Sequence, residues 1–359
     1  MKVFFMTISL LIVCSFGLIA CNKTDSPINS ANPSAPAPQS TPASLPLWTN
    51  TLDGIPFTMV GSDPTKAGAG TTLIPVVIIP VNFSFSLANT VISPQGNACG
   101  DSTNTITRVT SSPLFTSNSW TDGPITLGQT QFADAFQRAN FWTIVNTVSP
   151  NYHVMLQPVS VLPAVTVEVP LTSVLRPNPN PLCIQQPVAA VPIDFMNLVV
   201  QSTIATQHIT ADTLPIFLTY DTAFLLPGGG FFLGYHNVQG SQTFIVASYT
   251  DPGFNGIPGY NVADIAVLSH EVGEWMNNPL GTNKVPPWGG FGIQPTCSDL
   301  LEVGDPLSTS IFAVPAGNFT YHIQELAFFS WFSRGVPSRA ANGHYSSRGT
   351  FVTPAPSCF

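Results

Sequence analysis

The run Leu268-Ser269-His270-Glu271-Val272-Gly273-Glu274-Trp275 constrains this chain more than any other stretch. On a helix that rises about 1.5 Å per residue, positions four apart lie one above the other, so His270 and Glu274 share a face. The chain has only five glutamates, at 168, 271, 274, 302 and 325, and the last four fall together. Charged residues make up 8% of the sequence, against about 25% in an average domain. A chain so sparing of charge that still gathers acids around one histidine asks for a cation. The plainer alternative is a helix surface that happens to carry two acids.

The spacing also specifies the cation's chemistry. Where two histidines stand four apart on a helix, they bind zinc and the glutamate between them works on water. Here Glu274 replaces the second histidine, and a carboxylate is a competent zinc ligand. Glu271 is then the expected general base. One further ligand is needed. Glu302 is the first choice and Asp305 the second, both in Leu301-Glu302-Val303-Gly304-Asp305-Pro306, where Gly304 permits a tight return toward the helix. Two anionic ligands weaken zinc as a Lewis acid. The same donor set leaves open a harder ion such as Ca²⁺, or no ion. His322, Glu325 and His236 are weaker candidates, and His153, His208 and His344 read as structural. The glycines 228–230 are not followed by a lysine and helix, and no Gly-x-Ser-x-Gly elbow is present.

The N-terminus reads as an export signal. Lys2 precedes an almost wholly apolar run, and Leu18-Ile19-Ala20-Cys21 resembles a bacterial lipobox in which Cys21 becomes the lipidated first residue. The expectation is an exported protein anchored by lipid to a bacterial membrane, at the outer membrane or cell surface. Residues 22–47 are rich in Pro, Ser, Ala and Asn and read as a disordered tether. Residues 48–359 form the folded body, with the metal-site region at 261–333.

Four cysteines remain in that body: Cys99, Cys183, Cys297 and Cys358. None forms a CxxC pair, so outside the cytoplasm they read as two disulfides, with three pairings open. Cys297 adjoins the acid cluster and its bond would pin that loop. The formal charge of −8 and the lack of a basic run exclude nucleic acid as a partner.

Periodicity predicts an α+β body. Strands are expected at 71–79, with Pro75 marking an edge or bulge, across the proline-broken stretch 152–169, and at 214–226. A hairpin is expected from 231–238 and 243–249. Helices are expected at 132–145, 193–206, 262–277 and 321–332. The segment Val285-Pro286-Pro287-Trp288-Gly289-Gly290-Phe291 reads as a stiff aromatic loop that lines a cleft or fills the core.

The helix His270-Glu271-Val272-Gly273-Glu274 with Asn278-Pro279, the later Glu302-Val303-Gly304-Asp305, and Tyr321-His322-Ile323-Gln324 together resemble a group of secreted bacterial zincin-like proteins, mostly uncharacterised. Trp331-Phe332-Ser333 comes later than the group's pattern, and Cys297 precedes the acidic loop rather than following it. The resemblance covers 261–333 and little of the N-terminal half. It implies a zincin-like catalytic fold, a mixed sheet carrying a metal helix, and a zinc-dependent peptidase acting on a peptide or protein substrate. The alternative is a zincin-fold surface lipoprotein that binds a protein or glycan without turnover.

Overall fold

A computed structural model describes residues 44–254, 262–292, 294 and 296–358. The expected signal, Cys21 and nearly all of the expected tether lie outside the described residues. So does most of the loop between Asp251 and Tyr260. The folded body begins earlier than expected. Leu45 is buried and its N–H donates to the Ala211 carbonyl, and Leu47–Leu52 is already a strand. Leu45 and Trp48 are apolar enough to be drawn into the core despite the proline-rich stretch before them.

The body is mixed α and β. Its main sheet runs in the order Val165–Glu168, Val76–Phe85, Leu214–Tyr220, Gln242–Tyr249 and Gly234–Gln239. The first four strands are parallel, and the last pairs antiparallel with its neighbour and forms the sheet's edge. Leu214–Tyr220 and Gln242–Tyr249 are buried at every position, as expected of parallel strands covered on both faces.

Two expected strands break where the backbone forces it. Pro75 has no N–H to give a ladder, and the run divides there into Thr71–Ile74 and Val76–Phe85. The second piece is not an edge strand but lies inside the main sheet. Asp221, at φ +42°, ends Leu214–Tyr220 and sends Thr222–Leu225 into a separate four-stranded sheet. There Thr222–Leu225 pairs with Phe231–Phe232, so the expected hairpin strand is shorter and starts at Gly234.

The helix Ile193–Thr206 is as expected, whereas 132–145 divides into Phe132–Asn140 and Trp142–Val145. The expected helix at 321–332 is not one. Phe319–Gln324 is a strand paired with Ile311–Ala316, and only Phe329–Ser333 is helical. Tyr321 and Ile323 face the core with His322 between them, the period of two that a strand imposes. Residues Lys284–Trp288 are likewise a strand, and Trp288 packs edge-on against Trp331 and Phe332 inside the core.

Two disulfides are formed. Cys99–Cys183 ties the region after Val76–Phe85 to the loop before Val188–Pro192, and Cys297–Cys358 ties the acidic loop's neighbourhood to the C-terminus. No helix among the described residues is long and apolar enough to cross a membrane.

Candidate metal centre

The helix Ala266–Asn277 is buried along its whole length. It starts later than its apolar pattern suggests because Asp264, at φ +42°, turns the chain there and accepts the Ile265 N–H on its own side chain. The indole Nε1–H of Trp275 donates to Thr243 Oγ1 (3.0 Å) and pins the helix to the sheet. Two glycines allow the close packing. A Cβ on Gly273 would overlap Leu326, and one on Gly234 would meet Val267 Cγ1 at 2.7 Å and Glu271 Oε1 at 2.8 Å. The edge strand therefore lies directly against the helix face that carries Glu271.

Three side chains converge on one point. His270 Nε2 lies 3.1 Å from Glu274 Oε2 and 3.7 Å from Asp305 Oδ1. The tautomer that leaves Nε2 free is set from behind, where Nδ1–H donates to Gln324 Oε1 (3.0 Å). Gln324 Nε2 in turn donates to the Gly304 carbonyl (2.7 Å), so one amide holds both the ring and the acidic loop. Gly304 lies over the imidazole, where any Cβ would overlap the ring. Its φ of −88° is ordinary, so glycine serves closeness here rather than a strained turn. The Gly304 and Asp305 N–H groups donate to Glu274 Oε1 at 3.1 and 3.2 Å, which leaves Oε2 as the free oxygen facing His270.

Glu302 takes a different place. Its Oε1 accepts from Asn278 Nδ2 (3.0 Å), and its Oε2 lies 3.9 Å from His236 Nε2 rather than beside His270. Between the two acids of the loop, Asp305 is thus the one grouped with His270 and Glu274. The loop's short helical turn Asp305–Leu307 aims Asp305 back at the helix, while Glu302, three residues earlier, reaches toward the edge strand.

His236 also belongs to the cluster. Its Nε2–H donates to the Asn278 carbonyl (3.2 Å), and its Nδ1 faces Glu271 Oε2 at 3.6 Å and Glu274 Oε2 at 3.7 Å. Sequence signals this residue weakly, since it lies 34 positions before His270 on a different element. Gln324 and Asn278 enter the sequence reading only within the segments Tyr321-His322-Ile323-Gln324 and Asn278-Pro279 that carry the resemblance, with no site role attached to either. His322 lies elsewhere, with Nδ1 2.6 Å from Asp264 Oδ2. Glu325 accepts from Ser346, Thr350 and the backbone N–H of Arg348, and so organises the C-terminal loop. His153 and His344 pair with Asp134 and Asp122.

Proton affinities follow this crowding. Burial pulls His270 down, but Glu274, Glu271 and Asp305 outweigh it and hold the ring well above its usual value. Burial also opposes charge on His236, and the carboxylates of Glu271, Glu302 and Glu274 raise it to about 9. Asp305 is pushed up to about 7 by burial and by the Glu274 charge, and Glu302 is raised for the same two reasons. Burial raises Glu271. Glu274 alone goes down, because His270, His236 and the Gly304 N–H outweigh its burial.

These groups line a cleft of about 450 Å³ that also includes Phe231, Phe232, Gln294 and Ser298. No lysine or arginine lines it. A second, largely apolar pocket of about 350 Å³, lined by Val174, Val188, Ala190 and Leu225, shares Phe231 and Leu233 with the cleft. No protein-family model, curated protein or solved structure matches this chain.

Proposed function

We propose that the chain is an exported zinc-dependent peptidase with a zincin-like fold. The observation that carries this reading is the convergence of His270 Nε2, Glu274 Oε2 and Asp305 Oδ1, with Glu271 beside them in an open cleft. The donors fit zinc. Two donors of a tetrahedral ion with bonds of about 2.1 Å stand about 3.4 Å apart, and the observed separations are 3.1 and 3.7 Å. The buried Oε2 of Glu271 has no hydrogen-bond partner, and an oxygen left unpaired at such cost points to a ligand or substrate group.

His270, Glu274 and Asp305 would hold the ion. When bound, it supplies Lewis acidity toward water and toward a peptide carbonyl. Glu271, through the unpaired Oε2, takes the proton from the attacking water and passes it to the departing amine nitrogen. Gln324 keeps His270 in the ligating tautomer. Among the described residues no strand pairs with the outer edge of Gly234–Gln239, and its backbone groups would let an extended peptide pair with it as a further strand. Phe231, Leu233 and the adjoining apolar pocket favour a substrate with a large apolar side chain near the cleaved bond. On this reading Cys21 is lipidated after export, and the substrate would lie outside the cytoplasm.

The test is metal content and peptide hydrolysis on one preparation. Zinc bound by wild type, lost in Glu274→Ala, and kept without hydrolysis in Glu271→Gln is the expected pattern, because an amide cannot act as base. A metal-free wild type under zinc saturation refutes it. A wild type that holds zinc but cleaves no member of a broad peptide library points instead to a binding protein with an anionic, weakly acidic metal site.

A further inference from the structure

We propose a second divalent-cation site, formed by His236 Nδ1, Glu271 Oε2 and Glu274 Oε2, beside the first and sharing Glu274 with it. The inference rests on the metal reading above only in that shared carboxylate. These three ligand atoms form a compact group of their own, separate from the group made by His270, Glu274 and Asp305.

Three observations lead to it. The first is spacing. His236 Nδ1 lies 3.6 Å from Glu271 Oε2 and 3.7 Å from Glu274 Oε2. Both distances are too long for a hydrogen bond and close to the roughly 3.4 Å between donors of a four-coordinate zinc-sized ion. The second is want of partners. His236 Nδ1 and Glu271 Oε2 are buried without a hydrogen bond, on side chains that are 6% and 5% exposed. Because Nε2–H of His236 is spent on the Asn278 carbonyl, the ring turns Nδ1 toward two carboxylate oxygens. At 3.6 and 3.7 Å a proton on Nδ1 reaches neither oxygen within hydrogen-bond distance, whereas a cation between them contacts all three atoms. An ion bound only by His270, Glu274 and Asp305 leaves this second set unsatisfied.

The third observation is charge. Glu271, Glu274, Glu302 and Asp305 line one cleft with two imidazoles and with no lysine or arginine. No fixed cation offsets these crowded groups, and divalent ions displace the protons that carboxylates and imidazoles otherwise hold. The donors, one imidazole and two carboxylates, suit zinc or manganese rather than an all-oxygen calcium cage. Since the second ion occupies the Glu271 oxygen that would accept a proton, the second equivalent suppresses hydrolysis while the first supports it.

The experiment is a Zn²⁺ titration of the chelator-stripped chain, followed by calorimetry and by metal analysis after dialysis. Wild type is expected to bind two ions per chain. His236→Ala should bind one, with the affinity of the first site kept within a few-fold and that of the second weakened at least tenfold. His236→Gln, similar in size and uncharged, serves as a second variant, and circular dichroism shows whether each is folded. Two ions in wild type and still two, with unchanged affinities, in a folded His236 variant would overturn the proposal. A single ion in wild type, retained in His236→Ala and lost in His270→Ala, overturns it while leaving the proposed function standing. No ion at all in wild type overturns both.

Discussion

Replacing Gln324 with methionine tests whether the site is built from behind. Methionine matches glutamine in length, so packing is kept while the amide hydrogen bonds vanish. Two contacts at the site are lost, His270 Nδ1–H to Oε1 (3.0 Å) and Nε2–H to the Gly304 carbonyl (2.7 Å), together with a long one from Nε2–H to the Glu325 carbonyl (3.5 Å). Each is worth about 1 kcal/mol net, with about 1–3 kcal/mol added where the abandoned partner stays buried and unpaired. Gln324 and Ser269 are buried, and the methionine N–H still donates to Ser269 Oγ, so the strand keeps its place. The ring loses the acceptor that fixes its tautomer, and the acidic loop loses its tie to the ring. Loss of such a partner behind a ligand typically lowers metal affinity about 10- to 100-fold, or about 1.4–2.7 kcal/mol. Zinc affinity measured by chelator competition should fall by that amount, and thermal unfolding of the metal-free chain should show about 2 kcal/mol of lost stability. Gln324→Glu should restore the bond to Nδ1 but not the one to Gly304, and lie between the two. If the methionine variant binds zinc within twofold of wild type, Gln324 does not position His270 and the reasoning fails.

Two further outcomes follow from other parts of the fold. The Arg108 guanidinium, bonded to both oxygens of Asp101 (Nε–Oδ2 2.5 Å, Nη2–Oδ1 2.8 Å), holds that carboxyl below its ordinary value of 3.8. A depressed carboxyl stabilises the fold above its unfolded value and loses that contribution as pH falls through its folded value. The stability gap between wild type and Asp101→Asn should therefore be largest near neutral pH and shrink below pH 3.8. Denaturant melts across that range would show it, and a gap that does not change with pH would count against it. Opening Cys297–Cys358 by the double serine substitution releases a loop of 61 residues, which costs up to about 4 kcal/mol by the chain-entropy relation. A drop in denaturant midpoint is expected, while an unchanged midpoint would mean the loop is held by its aromatic packing alone.

How much was legible in the sequence depends on how local each signal was. The shared face of His270 and Glu274 follows from helix geometry within one turn, and the scarcity of charge singles out the acids around it. The helix Ile193–Thr206 and the late hairpin follow from periodicity in the same way. Tyr321–Phe332 defeated that reading because a short apolar run with one histidine fits either period, and pairing with Ile311–Ala316 decides it as a strand. Pro75 and Asp221 could be seen as special residues, but whether each bends, ends or divides a strand depends on what lies beside it.

The sequence by itself determined the composition of the site: an imidazole and a carboxylate on one helical turn, a glutamate between them, and two further acids in a glycine-bearing loop. Only the tertiary structure decided the grouping. Asp305 joins His270 and Glu274, Glu302 turns to Asn278 and His236, and Gln324 fixes the ring from a strand 54 residues away. It also decided the cysteine pairing among three possibilities. The reason is physical. Spacing along a helix is dictated by the chain's own backbone, whereas an approach between distant elements depends on packing, on where a Cβ fits, and on which buried polar group is still without a partner.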